Sequence, residues 1–355
     1  MDNIIDTRDK KSFAGITFSN YKKSDAKKRL LNDLLNGKIE GGNYWASEFI
    51  CAGHFLDLWD IILFFLGKNI HLGNPKLPIY LNLRFNDFKK IIKNGYQDNE
   101  LEMRNNANIR ELFAEIITIM SLSNKKYDLT PIKITKDVFD VSVISDKLLA
   151  DTTDYARSVY KKDDAKDIFI AVNEFSYNLI NTKNSRECCY WLEWLLAFEV
   201  EYKHKKKVPI VCSRRTLVDI NETHQKDFIW IIWDILLKRS AALNGVVKNI
   251  VENLLDLFVI KYNTSCKKKR RFIVYNAIMV LTEHVNHDVP VYKDINKIQL
   301  IKKKIHLIYR EIKKNEIIPK DNYLFNNSIN KSSTIDKTMR RLTKMDATNT
   351  IIRNV

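Results

Sequence analysis

Apolar residues recur at intervals of three and four along most of this chain, which is the spacing of one buried face of an α-helix. The clearest case is the segment 294–314, where lysines occupy the opposite face. Its apolar positions are Ile295, Ile298, Ile301, Ile305, Ile308 and Ile312. The same spacing predicts helices over residues 25–36, 44–66, 83–94, 108–122, 165–182, 188–200, 226–238, 245–260, 270–284 and 294–314. The fold is therefore predicted to be mainly α.

Two segments depart from the helical pattern. Residues 132–135 and 138–141 are rich in β-branched side chains, so we expect a minor β element between the two halves of the chain. Residues 319–355 begin with proline and continue with asparagine, serine and lysine, which is typical of a loosely ordered polar and basic tail, interrupted by a short amphipathic piece at 339–345.

Short sequence words occur twice in the same order. Residues 21–27 (YKKSDAK) recur at 160–166 (YKKDDAK) with six of seven residues identical, and both copies offer N-cap residues, Ser24-Asp25 and Asp163-Asp164. Tyr-Trp pairs follow at 44–45 and 190–191, and Trp-Asp-Ile at 59–61 and 233–235. This order predicts a head-to-tail duplication of a helical bundle. The predicted units are a first repeat at 1–148, a second repeat at 149–318 and the tail at 319–355.

The excess of basic over acidic residues is confined to residues 201–355. Residues 1–200 contain 28 basic and 28 acidic side chains, whereas residues 201–355 contain 31 and 15, which accounts for the whole net charge of +16. Such an asymmetry places a positive field on one part of a molecule, and nucleic acid, an acidic protein or anionic lipid would be attracted to it. A lysine-rich genome offers a simpler explanation, but the neutral first half argues against it.

No catalytic, cofactor or metal motif is recognised. Nine glycines in 355 residues leave neither a P-loop nor a G-x-G-x-x-G fingerprint. His284 and His287 end a predicted helix, which favours a capping role over a metal site. The five irregularly spaced cysteines suggest buried thiols in a reducing compartment. We therefore expect no catalytic residue, no cofactor and no metal.

The N-terminus lacks the pattern of a signal peptide, and no apolar run is long enough to span a bilayer. An intracellular protein without membrane contact is predicted.

Three basic runs are the strongest candidates for a binding surface, because lysine and arginine neutralise phosphates without reading sequence. They are predicted to lie between helices, in segments that the first repeat lacks. The alternatives to phosphate binding are a solvated surface without a partner and a nuclear localisation signal. The tryptophans, in contrast, are interpreted as core residues rather than a stacking platform. The candidate nucleic-acid-binding residues are Lys203, Lys205, Lys206, Lys207, Arg214, Arg215, Lys267, Lys268, Lys269, Arg270 and Arg271.

Two resemblances extend this interpretation. Residues 34–85, with the Tyr-Trp pair at 44–45, the segment 70–75 (IHLGNP) and the Leu-Pro pair at 77–78, resemble the C-terminal helical collar domain of clamp-loader and Werner-helicase-interacting ATPases. That domain mediates oligomerisation, whereas the ATPase module has no counterpart here. The words FAGITFS at 13–19, ICAGH at 50–54 and HLGNP at 71–75 resemble an uncharacterised protein group of nucleocytoplasmic large DNA viruses. This resemblance implies a viral role.

The leading hypothesis is a non-catalytic helical adaptor in viral DNA metabolism, whether replication, recombination or transcription. It would contact nucleic acid non-specifically through its basic second half and join it to viral replication or transcription proteins. A virion assembly protein that contacts packaged DNA or an acidic capsid partner is the alternative, and an enzyme with an unrecognised site between the halves is the third hypothesis. The location would be the viral factory of the host cell or the virion, and homo-oligomerisation is left open.

Overall fold

Helices account for nearly all regular structure in the computed structural model, which describes residues 3–96 and 100–317. Within these ranges the backbone contains no strand, and its only sheet-like pairing is one antiparallel bridge between Ile16 and Lys22. The prediction of a mainly α fold is confirmed. The α-helices are α1 (Lys23–Leu35), α2 (Ile39–Cys51), α3 (Phe55–Phe65), α4 (Leu77–Lys93), α5 (Ala107–Leu122), α6 (Val141–Ser145), α7 (Phe169–Tyr177), α8 (Ser185–Lys206), α9 (Ile229–Ala241), α10 (Gly245–Phe258), α11 (Cys266–Lys269), α12 (Arg271–Thr282) and α13 (Ile295–Lys313).

The minor β element expected at 132–141 is not formed. Lys136–Phe139 is a 3₁₀ turn and α6 follows it, while no second strand lies nearby to pair with residues 132–135. The β-branched side chains of Ile132, Ile134 and Val138 instead pack against the helical core. Packing, rather than backbone pairing, therefore explains their apolar character.

The helix predicted over 44–66 is interrupted. α2 ends at Cys51 and α3 begins at Phe55, because Gly53 adopts a left-handed conformation with φ of +74°. A β-carbon at Gly53 would also lie 3.0 Å from a methyl group of Leu101. Glycine is therefore needed both for the turn and for the close approach of Leu101.

The predicted N-caps are not the ones that the structure uses. The side chains of Ser24 and Asp25 make no capping bond to α1, and Asp164 is buried in a loop before α7. Four other side chains accept hydrogen bonds from the first turns of α5, α8, α10 and α13, as N-cap residues do. They are Asn106, Asn184, Asn244 and Asp294.

One continuous core contains residues of both predicted repeats. α4 packs against α10, and α13, from the second half, packs against α2 and α5 of the first. All six tryptophans are buried, four of them almost completely: Trp59, Trp191, Trp230 and Trp233. The interpretation of the tryptophans as core residues is confirmed.

The predicted boundary at residue 148 falls in the segment 146–165, which contains turns but no helix. The tail predicted at 319–355 and its amphipathic piece lie outside the described residues. None of the helices in the described ranges is long and apolar enough to cross a membrane.

The repeated words occupy partly matching positions. Both Tyr-Trp pairs lie in helices, α2 and α8, and in each pair the rings meet edge to face at 5.3 Å. The heptapeptide at 21–27 leads into α1, whereas its copy at 160–166 forms turns ahead of α7. The duplication itself stays a prediction.

A substitution at Gly67 would test how the two halves pack, because Gly67 lies where the chain after α3 meets the backbone of α12. A β-carbon there would be 2.5 Å from the carbonyl oxygen of Phe272. Since that neighbour is backbone and cannot swing away, we expect Gly67→Ala to lower the free energy of unfolding by about 1–3 kcal/mol. Urea denaturation measures this change.

Gly245 provides the matched control. It is the first residue of α10, and a β-carbon there would meet nothing within 4 Å. Gly245→Ala should leave stability unchanged or raise it by up to about 1 kcal/mol, because alanine favours helix. Equal destabilisation by both substitutions would contradict the close approach at Gly67.

Candidate nucleic-acid interface

The eleven predicted binding residues do not form one surface. Three of them, Arg215, Lys267 and Arg270, are 3–7% exposed, and Arg271 is largely covered. The others are exposed: Lys203, Lys205, Lys206, Lys207, Arg214, Lys268 and Lys269. Each buried cation has partners within the chain, which the following contacts identify.

Arg215 is held by Asp164, a residue of the repeated heptapeptide. Its two terminal nitrogens donate to the two carboxylate oxygens at 2.9 and 2.7 Å. The same carboxylate accepts from the backbone amides of Lys161 and Ser213 at 2.7 and 2.8 Å. Burial by itself raises the pKa of Asp164, but these hydrogen bonds outweigh it and hold the pKa below its usual value.

Lys267 lies between two carboxylates. Its ammonium donates to Asp227 at 2.7 Å and also to Glu199 of α8. Tyr262 donates to the same Asp227 at 3.4 Å. The positive charge of Lys267 is thus neutralised inside the protein.

Arg270 connects the two halves of the chain. Its guanidinium donates to Asp60 of α3 at 2.7 Å and to the carbonyl oxygens of Phe258 and Ile260 at 2.8 and 2.6 Å. The two carbonyls belong to the end of α10 and the turn after it, so the contact fixes α3 against α10.

Arg271 donates to Glu193 of α8 at 2.6 Å, and Tyr275 donates to the other oxygen of that carboxylate at 2.9 Å. Arg215, Lys267, Arg270 and Arg271 are all paired with carboxylates in this way, which argues against the prediction that they contact nucleic acid. Their positive charges are compensated within the chain.

The first basic run also differs from expectation. Lys203 to Lys206 are not in a loop but form the last turn of α8, where cations favour the carbonyl end of the helix. Lys205 pairs with Glu201 at 3.4 Å and Lys206 with Asp167 at 3.2 Å. Arg214, equally exposed, pairs with Glu222 at 2.9 Å. Lys203 and Lys207 are exposed and make no ion pair within the described residues.

A groove of about 620 Å³ is lined by Lys268 and Lys269, the two residues of the third basic run that form no salt bridge in the described residues. We call it the lysine groove. Its walls include Lys23 and Lys27 of α1, Asp60 and Phe64 of α3, and Lys268 and Lys269 of α11. The repeated heptapeptide of the first half thus faces the basic run of the second half.

Both carboxylates that line the lysine groove already have partners. Asp57 pairs with Lys23 at 2.9 Å, and Asp60 pairs with Arg270. Among the described residues, Lys27, Lys268 and Lys269 have no ion-pair partner and are exposed. The groove therefore presents three ammonium groups that form no salt bridge within the described residues, although the charge of Lys268 also acts on the carboxylates of Glu193 and Glu199.

Aromatic side chains form part of the groove. Phe64 is half-buried and meets Phe272 edge to face at 5.5 Å. The ammonium of Lys27 lies 5.3 Å from the centroid of the Phe64 ring, within the range of a cation–π contact. Sequence analysis missed Lys27 and Phe64, although the recurrence of the heptapeptide that contains Lys27 pointed to this segment.

No cluster of three or more metal-ligating side chains occurs in the part of the chain that the structure describes. His284 and His287 follow the end of α12, with His284 exposed and His287 half-buried. All five cysteines are buried and unpaired. Burial raises the pKa of the Cys212 thiol to about 11, so it is a poor nucleophile at neutral pH.

Comparison with known proteins does not extend these observations. No protein-family model matches the chain, and no curated protein or solved structure matches it either. The resemblances to a viral protein group and to the clamp-loader collar therefore stay predictions. Only the contacts within the structure support the candidate interface.

The contact between Asp164 and Arg215 predicts a large effect on stability. Asp164→Asn removes the close carboxylate partner of the buried guanidinium of Arg215 and leaves it only the longer contact with Asp234 at 3.9 Å, so we expect unfolding to become about 3 kcal/mol easier. The neighbouring Asp163 is exposed, and Asp163→Asn should change stability by no more than about 0.5 kcal/mol. Equal effects in thermal or urea unfolding would contradict the role given to Asp164.

The same pair predicts a dependence on pH. Because the pKa of Asp164 is lower in the folded protein, its contribution is complete above the unfolded pKa of about 3.9. It is lost as the pH falls through the lower, folded value. The stability difference between the native protein and Asp164→Asn should therefore shrink on acidification below about pH 4, as urea titrations at several pH values would show.

Proposed function

We propose that the protein is a non-catalytic helical adaptor that binds nucleic acid non-specifically through the lysine groove. The observation that carries this proposal is the set of three ammonium groups, Lys27, Lys268 and Lys269, that line one groove and form no salt bridge within the described residues. Neighbouring cations are neutralised internally, so these three are left to attract an external anion.

Phosphate suits these groups better than an isolated carboxylate. Lysine contacts a phosphate as a point charge, and each contact releases counterions from the nucleic-acid backbone. The half-buried Phe64 adds an aromatic ring beside the lysines. The ammonium groups of Lys27 and Lys68 lie 5.3 and 5.6 Å from its centroid, and a base that stacks on the ring would take the place of one of them. The groove thus combines the two contacts by which proteins bind nucleic acid without reading its sequence.

The end of α8 extends the positive surface. The residues 267–271 lie along α8, held by the pairs of Lys267 with Glu199 and Arg271 with Glu193. Lys203 follows Glu199 by one helical turn and is on the same face of α8. The exposed Lys203 therefore supports a path for a strand that continues beyond the groove.

The viral setting of the proposal, in DNA replication, recombination or transcription, rests on the resemblance of residues 13–19, 50–54 and 71–75 to a protein group of large DNA viruses. The adaptor role follows from the absence of recognised nucleotide and catalytic motifs in the sequence. Both are part of the proposal and are separate from the binding test below.

The decisive variant is Lys268→Glu combined with Lys269→Glu, which reverses two charges of the groove. We expect it to weaken binding of a short fluorescent DNA by about tenfold or more at low salt, and to reduce the salt dependence of the affinity. Anisotropy titrations with single-stranded and duplex DNA between about 50 and 200 mM salt measure both quantities.

Lys303→Glu combined with Lys304→Glu is the matched control. Both lysines are exposed on α13, which packs against α2 and α5 rather than beside the groove, and the change in net charge is the same. If this control weakens binding as much as the groove variant, only the overall charge attracts DNA and the groove is not the site. If the native protein fails to bind DNA at low salt, or polyglutamate displaces DNA at equal charge concentration, the nucleic-acid proposal fails.

A further inference from the structure

A second cavity, of about 730 Å³, lies where α4 of the first half meets α10 of the second. We call it the interhelical pocket. The first turn of α3, one face of α4, Met103, the loop 217–219 and the end of α10 line it. Its volume is in the range of small-molecule sites, and such sites often occur between packed units.

The floor of the interhelical pocket is apolar and firmly supported. Phe55, Phe85, Phe88 and Met103 line it, and Phe88 and Met103 are almost completely buried. Behind them Trp59 meets Phe85 edge to face at 5.0 Å. Side chains packed in this way keep the cavity open, and they offer aromatic surface to a ligand.

Asn82 gives the pocket a hydrogen-bond acceptor of defined orientation. This side chain is only 9% exposed. Its Nδ2 donates to Asn253 Oδ1 and to Asp256 Oδ2, both at 2.8 Å, which uses both amide hydrogens. Asn253 uses its own amide to donate to Asn249, so its oxygen must face Asn82 and the assignment is fixed. The Oδ1 atom of Asn82 has no partner in the described residues.

Asp256 adds a carboxylate that lacks a cation. It accepts one hydrogen bond, from Asn82, and forms no ion pair within the described part of the chain. Asp256 is exposed as a residue. Partial desolvation of its carboxyl group raises the pKa of Asp256, and the bond from Asn82 and the charge of Lys89 offset this only in part. A carboxylate that forms no salt bridge within the chain attracts an external cation.

Most other polar groups of the pocket are already engaged or reach into solvent. Lys10 and Asp219 are exposed, and the half-buried Asn86 also lines the cavity. His54 donates from Nε2 to the carbonyl oxygens of Phe13 and Ile16, and Asp57 pairs with Lys23. Lys89 and Lys261 are exposed, and the ammonium of Lys89 lies over the Phe85 ring at 5.2 Å. Long lysine side chains extend to water, so the short Asn82 and Asp256 define the polar end of the cavity.

We propose that the interhelical pocket binds a small aromatic amine. Its ammonium group would donate to Asp256 and to Oδ1 of Asn82, and its ring would pack among Phe55, Phe85 and Met103. This site is separate from the lysine groove, and the inference does not depend on nucleic-acid binding.

Three probes that differ only at one end test the proposal on the full chain: tryptamine, indole-3-propionate and 3-ethylindole. By calorimetry and saturation-transfer NMR, tryptamine should bind about tenfold or more tightly than the acid and the neutral indole. Absence of tryptamine binding, or an affinity no higher than that of either other probe, would overturn the proposal.

Variants distinguish the pocket from a general attraction of cations. Asp256→Asn should weaken tryptamine binding about tenfold and leave 3-ethylindole binding unchanged. Asp163→Asn removes the same charge from an exposed position that does not line the pocket, and it should have no effect. Equal losses in both variants, or none in Asp256→Asn, would contradict the assignment, and unaltered thermal unfolding of Asp256→Asn verifies that the pocket is intact.

Discussion

The contact of Arg270 with Asp60 and with two backbone carbonyls determines how the halves of the molecule meet. Its guanidinium is 7% exposed and joins α3 to the end of α10. A buried arginine requires several well-placed acceptors, since an unpaired charge in this position would cost several kcal/mol, or about the whole stability margin of a domain. The arrangement of α3 and α10 is therefore closely specified, and both candidate sites are built on that arrangement.

The lysine groove and the interhelical pocket are neighbours, and only the first turns of α3 lie between them. Asp57 lines both cavities and is neutralised by Lys23 from the groove side. Their chemistry nevertheless differs. The groove presents lysines beside phenylalanine rings, whereas the pocket presents acceptors above an apolar floor. The two proposed ligands therefore differ as the two cavities do.

The helices could be predicted from the sequence because burial imposes a periodicity that is visible without coordinates. The tryptophans could be assigned to the core for the same reason. The partners of the cations could not be predicted, since Arg215 pairs with a residue 51 positions away and Arg270 with one 210 positions away. A run of basic residues shows how much charge is present, but only the fold shows which charges are cancelled. Lys27, which belongs to the short basic run 27–29, was missed because the first 200 residues carry no net charge, and Phe64 was missed because an isolated phenylalanine is typical of a core residue.

The first and last described segments of the chain are joined. The backbone amide of Thr7 donates to the carbonyl of Ile317 at 3.1 Å, and Ile4 is buried beside them. The segment 146–165, in contrast, contains no helix. The order in which the halves follow one another along the chain is thus not imposed by their packing. A circular permutant, linked across Thr7 and Ile317 and opened near residue 150, would keep the same helix contacts.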